Sequence, residues 1–248
     1  MNNSSGVRMN TEKKAGKAKT KPEDTVPLAE LSPERMQELE GFRKLMMEYQ
    51  CALDEVHTKL DVLNKELSLR TNRNPFESIR SRIKEPGSIY GKTQRKGIPC
   101  TLSSIEENIS DIAGIRVICS FIDDIYMLAD CLKQQDDLKI IEVKDYIKNP
   151  KPSGYRSLHI IVEVPIFLSE GKYYRKVEVQ FRTIAMDFWA SLEHKLKYKQ
   201  DLAIEDVQTI SDDLKFNAEL INQVDRRMQQ IREHIDAGNQ KENSRKDT

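Results

Sequence analysis

The sequence predicts an α/β (α+β) fold: a mixed four-to-five-stranded sheet with packed helices and one long helix flanking it at each end. Three observations carry this. Lys176-Val177-Glu178-Val179-Gln180-Phe181-Arg182 alternates strictly between polar and apolar residues, the period of a strand with one buried face. Ile115 to Phe121 is apolar apart from Arg116 and Ser120, as a buried strand would be. Leu39, Phe42, Met46, Tyr49, Leu53, Val56, Leu60, Leu63 and Leu67 follow in alternating steps of three and four, a helical seam sustained for four heptads.

The remaining elements follow in order. Residues 1–28 set Arg8, Lys13, Lys14, Lys17, Lys19 and Lys21 among Gly, Ser, Asn and Thr, and are expected to be a disordered basic tail. The N-terminal heptad helix is placed at 29–73 and opened by Ser32-Pro33-Glu34: an N-cap, a proline in the first turn, an acid at the positive end of the dipole. A central domain, 74–200, is expected to start as a short helix after Asn74-Pro75 that breaks at Pro86-Gly87. Ser104 with Glu107 reads as a capping box for a short helical turn. Asp123 reads as the cap of a helix to about Gln135. Leu138 to Asp145, Arg156 to Val164 and Tyr173 to Arg182 read as strands, with a Pro- and Gly-bearing loop at Ile147 to Gly154. Ile184 to Lys199 reads as a helix. A C-terminal heptad helix is placed at 201–237, with Val207, Ile210, Leu214, Ile221, Val224, Met228, Ile231 and Ile235 on its seam and Asn217 as a polar seam residue. Residues 238–248 are expected to be a second tail.

Composition excludes more than it selects. Lys plus Arg and Asp plus Glu each number 40 in the 248 residues, so overall charge points to no particular partner. Cys51, Cys100, Cys119 and Cys131 form no C-x-x-C pair and no ligand cluster with the histidines. Free thiols predict a reducing compartment. No run of about 18 apolar residues predicts a membrane span, and the N-terminus has no signal-peptide apolar region. The expected location is cytoplasmic.

Four segments carry polar groups suited to a phosphorylated ligand. The outward row of the alternating strand is Lys176, Glu178, Gln180 and Arg182; standing alone it would be read as cross-strand ion pairing on a surface. Arg82 to Lys96 holds five cations, and on a helix Ser88, Lys92 and Arg95 share a face. Such a cluster suits a polyphosphate, whose oxygens each need a donor or cation. Asp111 precedes a buried strand at a sheet end, and Asp is a hard oxygen ligand for Mg²⁺. Arg116 inside that strand needs a carboxylate, a phosphate or an aromatic base beside it. Lys151-Pro152-Ser153-Gly154-Tyr155-Arg156-Ser157-Leu158-His159 offers a glycine for close backbone approach, a stacking face at Tyr155, and Ser157 with His159 on one strand face.

Taken together, Arg-x-Lys-x3-Ser-Ile-x2-Lys-x2-Arg-Lys (Arg82 to Lys96), Asp-Ile-Ala-Gly-x-Arg-Val-Ile (Asp111 to Ile118), Gly-Tyr-Arg-Ser-Leu-His (Gly154 to His159) and Val-Glu-Val-Gln-Phe-Arg-Thr-x2-Met-Asp (Val177 to Asp187) resemble the synthetase domain of RelA/SpoT homologues. All four blocks stand in family order over roughly residues 75–200. The flanking seam helices resemble those of the small alarmone synthetases, and Ile118 to Tyr126, Val143 to Ile147 and Arg182 to His194 look most like the RelP branch. The resemblance implies a nucleotidyltransferase-like synthetase domain that transfers pyrophosphate from ATP to the ribose 3′-hydroxyl of GDP or GTP, giving AMP and ppGpp or pppGpp. It implies Asp111 as an Mg²⁺ ligand, and Glu178 as the acid that activates the hydroxyl and approaches the metal. Arg82 and Arg116 match the arginines around adenine, and Lys84, Ser88, Lys92 and Arg95 the ATP-phosphate cluster. Tyr155 matches the guanine stacker, and Lys151, His159, Gln180, Asp187 and Glu193 lie at acceptor-nucleotide positions.

These roles fit phosphoryl transfer, in which a protein mostly positions groups and neutralises charge. Longer relatives carry a hydrolase domain built on a His-Asp motif; no His-Asp dipeptide occurs here, and no hydrolase activity is expected. Two other readings stand beside this one. A related pyrophosphotransferase would act on adenine nucleotides or a tRNA end, which product analysis separates. A non-catalytic nucleotide-binding oligomer would have no use for both Asp111 and Glu178. The seams predict a homo-oligomer with closed symmetry, the resemblance to small alarmone synthetases implies a homotetramer, and no nucleic acid is expected to be required.

Overall fold

The computed structural model describes residues 32–71, 73–197 and 204–246. Along the chain run α1 (Pro33–Thr71), β1 (Phe76–Ile83), α2 (Pro86–Lys96), α3 (Leu102–Asn108), β2 (Ala113–Cys119), α4 (Ile122–Lys133), β3 (Lys139–Asp145), β4 (Leu158–Leu168), β5 (Gly171–Thr183), α5 (Ile184–Lys197) and α6 (Ile204–Lys246). The chain divides into two compact units between Glu40 and Gly41. Of the first, only the opening of α1 is described; the rest of α1, the sheet and the other helices belong to the second. The expected basic tail at 1–28 lies outside the described residues.

The sheet is mixed and five-stranded, in the order β1-β2-β5-β4-β3. Within it β2 and β5 pair in parallel, and the other three pairings are antiparallel. One face is apolar. Ile115 and Val117, Ile160 and Val162, and Val177, Val179 and Phe181 join Tyr49, Leu53, Val56, Leu60 and Leu67 of α1 and Ile125, Leu128 and Leu132 of α4 in a single buried cluster. The seam of α1 from Tyr49 onward therefore packs within the subunit. A buried ion pair from Arg175 of β5 to Glu48 of α1 joins helix to sheet, with Glu48 only 3% exposed. Among the described residues no helix is long and apolar enough to cross a membrane.

Several local expectations are corrected. Asn74-Pro75 opens not a helix but edge strand β1: Asn74 Oδ1 accepts from Phe76 N at 3.0 Å and turns the chain into the sheet. Pro86 does not break a helix but starts one. Its missing N–H is harmless in the first turn of α2, which ends at Gly97 with a left-handed φ of 64°. The short helix α3 is capped by Thr101, whose Oγ1 accepts from Ser104 N at 3.3 Å, rather than by Ser104 with Glu107. The chain enters α4 from Phe121, and Asp123 instead accepts from Gln229 and Arg232 of α6.

The C-terminal helix differs most from its expected register. It continues to Lys246, past the expected start of a tail at 238. Its buried face is Leu214, Ala218, Asn222, Asp225 and Gln229. Of the expected seam, Leu214 is buried and Ile210 and Ile221 are half-buried, while Asn217 and the four residues Val224, Met228, Ile231 and Ile235 are exposed. The Val207 side chain lies outside the described residues. A heptad drifts about 20° per repeat on a straight α-helix, so the apolar stripe and the packed stripe part company along its length.

Thr183, where β5 meets α5, anchors α6: its Oγ1 accepts from Met186 N at 3.1 Å and donates to Asp225 Oδ2 at 2.5 Å. Burial pushes the Asp225 carboxyl above the ordinary range, and the Thr183 hydrogen bond offsets this only in part. With the folded pKa raised, the native state holds the proton more readily than the unfolded chain. The resulting penalty is absent below the unfolded pKa and complete above the folded one. Asp225→Asn removes the ionisation, so its melting temperature relative to wild type should rise between pH about 3.5 and pH about 7. Calorimetry at both pH values checks this, and an offset independent of pH would contradict it.

Candidate active site

The other face of the sheet is polar, and register aligns it. Arg80 of β1 lies opposite Arg116 of β2, Arg116 opposite Gln180 of β5, Gln180 opposite His159 of β4, and His159 opposite Lys144 of β3. One polar row thus crosses all five strands. Glu178 sits two residues from Gln180 on the same face, opposite Gly114 of β2, and Asp111 lies just before that strand.

Two cavities open on this face. One, of about 240 Å³, is walled by Arg80, Ser81, Arg82, Gly114 and Arg116. The other, of about 450 Å³, is walled by Lys92, Lys144, Tyr146, Lys151, Ser153, Tyr155, His159 and Glu193. They share Arg82, Asp111, Glu178 and Gln180, so the two carboxylates stand where the cavities meet.

Cations hold Asp111. Lys84 Nζ donates to Oδ2 at 2.9 Å. Lys92 Nζ pairs with Oδ1 at 2.8 Å. Burial would raise the Asp111 carboxyl, but attraction to Lys84 and Lys92 outweighs it and holds the pKa below the ordinary value. Burial likewise works against ionised Glu178. Hydrogen bonds from His159 and Gln180 prevail there, and the carboxyl lies below its ordinary range. Both groups are therefore anionic at neutral pH. Among the described residues no three His, Cys, Asp or Glu side chains form a metal cage. Two carboxylates where the cavities meet instead offer hard oxygen donors that fit a cation such as Mg²⁺, which takes few protein ligands and keeps phosphates and waters.

Arg116 finds the carboxylate its buried strand position demanded: its Nη1 is 3.1 Å from Asp187 Oδ1. Burial, with the neighbouring Arg182, lowers its pKa, and its Nε has no hydrogen-bond partner. On α2, Lys92 enters the second cavity; Ser88 and Arg95 share its helix face but stay exposed outside both linings. Tyr146, Tyr155 and His159 meet edge to face, with centroids 5.3 to 6.0 Å apart. Lys151 Nζ lies over both tyrosine rings, at 4.6 and 4.8 Å. Asp187 belongs less to a cavity wall than to the counter-ions of Arg116 and Arg182.

Lys176 leaves the outward row: it caps α3 through the carbonyls of Glu106 and Glu107, at 3.1 and 3.0 Å. Gly154, expected to let a ligand approach, is required by α6. At its φ of 87° an added Cβ would stand 2.5 Å from Ala218 Cβ. Sequence reasoning missed Arg80, Lys144 and Tyr146 as wall residues. Their signal was pairing across strands, which a chain read in one dimension does not display.

Two cation-lined cavities meeting at a carboxylate pair, on a mixed sheet, define an enzyme domain built to bring two polyanionic ligands together. Residues 81–203 match the family described as the region found in RelA/SpoT proteins. GTP pyrophosphokinase YwaC of Bacillus subtilis strain 168 is 46% identical over 198 residues, 80% of this chain and 93% of YwaC. The crystal structure of small alarmone synthetase 2 from Bacillus subtilis superposes with a TM-score of 0.69 at 45% identity, covering 78% of this chain and 98% of that one. Small alarmone synthetase 1 from the same organism, bound to its product pppGpp, superposes with a TM-score of 0.71 at 34% identity, covering 79% and 98%. This chain belongs to the RelA/SpoT family, and the proteins it resembles along most of their length are small alarmone synthetases.

Proposed function

We propose that this protein is a (p)ppGpp synthetase that transfers pyrophosphate from ATP to the ribose 3′-hydroxyl of GDP or GTP, giving AMP and ppGpp or pppGpp in a stringent response. The observation that carries this reading is the meeting of two cavities at Asp111 and Glu178. The names of the relatives, GTP pyrophosphokinase and a synthetase bound to pppGpp, support it. ATP lies in the arginine-walled cavity, its adenine between Arg82 and Arg116, with phosphates toward Lys84, Ser88, Lys92 and Arg95. The acceptor lies in the aromatic cavity, its guanine on Tyr155 once Lys151 swings off the ring. Lys151, His159, Gln180 and Glu193 line its path, with Asp187 fixing the arginines behind.

In the reaction the 3′-oxygen forms a bond to the β-phosphorus of ATP and the bond from that phosphorus to the α-phosphate oxygen breaks. AMP departs with the electron pair, and Glu178 accepts the hydroxyl proton. Asp111 and Glu178 would hold Mg²⁺, which neutralises charge on the transferred group when bound. Lys84 and Lys92 lie against Asp111, so they keep positive charge beside that group throughout. Incubation with ATP, Mg²⁺ and GDP or GTP, followed by nucleotide chromatography, should show AMP and a guanosine polyphosphate. Product only with AMP or tRNA as acceptor would overturn the reading.

Tyr155→Ala should weaken the acceptor nucleotide by roughly 1–3 kcal/mol, the scale of base stacking on an aromatic ring. ATP binding should change little. Calorimetry with each nucleotide checks this, and the reverse pattern would exchange the two cavities.

The assembly belongs to the same reading. Phe216, Leu220, Val224, Met228, Ile231 and Ile235 form one exposed apolar stripe on α6. A stripe of this length is a liability unless covered, and a second copy in a closed homotetramer covers it. Placement in the RelP branch rests on the segments Ile118 to Tyr126, Val143 to Ile147 and Arg182 to His194. The four cysteines are free, which supports a reducing, cytoplasmic setting.

A further inference from the structure

The geometry points to Arg182 as the positioning residue for Glu178, acting on both carboxylate oxygens through two hydrogen-bonded arms. The inference rests on Glu178 being the base of the proposed transfer. Arg182 is 5% exposed. Its Nη1 donates to Asp187 Oδ1 at 3.0 Å, which locks the guanidinium plane. Its Nη2 starts both arms. On one arm Nη2 donates to the Tyr155 hydroxyl at 2.7 Å, that hydroxyl lies 2.9 Å from His159 Nε2, and His159 Nδ1 lies 3.1 Å from Glu178 Oε1. On the other, Nη2 donates to Gln180 Oε1 at 3.2 Å, and Gln180 Nε2 donates to Glu178 Oε2 at 2.8 Å.

The two ends set the polarity of both arms, because arginine only donates and an ionised carboxylate only accepts. His159 Nδ1 therefore donates to Glu178 Oε1, a neutral imidazole accepts at Nε2 from the Tyr155 hydroxyl, and the Tyr155 oxygen accepts from Arg182. On the second arm, Gln180 must turn its oxygen to Arg182 and its NH₂ to Glu178 Oε2. Apart from Arg182 Nε, which has no hydrogen-bond partner, the donors along both arms meet acceptors, and the two arms close a ring around one carboxylate. Each Glu178 oxygen keeps a further acceptor direction for a substrate hydroxyl. A base held on both oxygens cannot rotate away from the hydroxyl it serves, and displacements of about 1 Å at a reacting group cost as much as 10²-fold in rate. Tyr155 thereby has two tasks: its ring serves the acceptor base and its hydroxyl serves Glu178. Occupancy of the guanine site is mechanically tied to the orientation of the proton acceptor.

Tyr155→Phe keeps the ring and breaks one arm. The expected result is a fall in kcat of roughly 10-fold with the KM for GDP unchanged within about twofold. Arg182→Lys loses the fork, and its deficit should be larger. Adding Tyr155→Phe to it should cost little more, because both changes cut the same arm. Long-range ¹H–¹⁵N spectra should show His159 as the Nδ1–H tautomer in wild type and as a mixture in Tyr155→Phe. His159→Gln identifies the signal. Wild-type kcat in Tyr155→Phe, a raised KM with kcat retained, or an Nε2–H tautomer in wild type would each overturn the inference, even if Arg182→Lys does not fold. Full activity of Glu178→Gln would instead overturn the assignment of the base, leaving the tautomer result to stand alone.

Discussion

Replacing Glu178 by Gln, or Asp111 by Asn, is expected to lower kcat by roughly 10²-fold or more, the scale of losing a general base or a metal contribution. The two changes act differently. Glu178→Gln keeps the size of the side chain but removes the proton acceptor and sets an NH₂ against one of the two donors, His159 or Gln180. Its deficit should persist at any Mg²⁺ concentration. Asp111→Asn leaves Lys84 and Lys92 without their counter-ion, so two cations then face the ATP phosphates with less metal between them. Part of its deficit should be recovered at high Mg²⁺. Both side chains lie on the sheet's polar face, away from the apolar cluster, so folding should survive. Initial rates with a Mg²⁺ titration, together with a melting curve, check this; full activity in either folded variant would remove that residue from the mechanism.

The second large effect separates two helical seams. Leu53 and Leu60 are 2% and 0% exposed and belong to the core beneath the sheet. Leu53→Asp with Leu60→Asp removes two large apolar side chains, at about 2–5 kcal/mol each, and buries two unpaired carboxyls besides. Total stability is about 5–15 kcal/mol, so this double variant should not fold. Val224→Asp with Met228→Asp instead charges residues that are 55% and 51% exposed. It should leave the circular dichroism spectrum and the melting of the isolated subunit nearly unchanged and reduce the assembly to smaller species. Light scattering on wild type and both variants decides this. A monomeric wild type at micromolar concentration would refute the oligomer, and a folded Leu53, Leu60 variant would refute the packing of α1.

Much of the site was legible in the sequence because chemistry in short segments survives without coordinates. Alternation marked β5 and its Glu178–Gln180 face. Arg116 stood out as a charge inside an apolar strand, and the structure supplies the carboxylate it required in Asp187. The cations of Arg82 to Lys96 were visible as a cluster. Which of them enters a cavity was not: helix periodicity puts Ser88, Lys92 and Arg95 on one face, yet only Lys92 reaches the lining. That depends on where α2 sits above the sheet.

Elements whose pattern served two periods were the ones misjudged. Residues 76–83 are expected from the sequence as a short helix, and pairing with β2 over that length makes them an edge strand instead. The heptads of α1 and α6 look alike in sequence, but α1 meets a hydrophobic sheet face and disappears into it. On α6, Asn222, Asp225 and Gln229 go inward to meet side chains such as Thr183 and Asp123, leaving the apolar stripe outside. The amino-acid sequence by itself determined the α/β class, the family, and the presence of Asp111 and Glu178 among cations, because periodicity and local motifs are properties of neighbours along the chain. Only the tertiary structure decided which seam is core, and that Arg182, Tyr155, His159 and Gln180 close on one carboxylate. Those are contacts between β5, β4 and the loop before β4, and they exist only once strand register has aligned residues far apart in sequence.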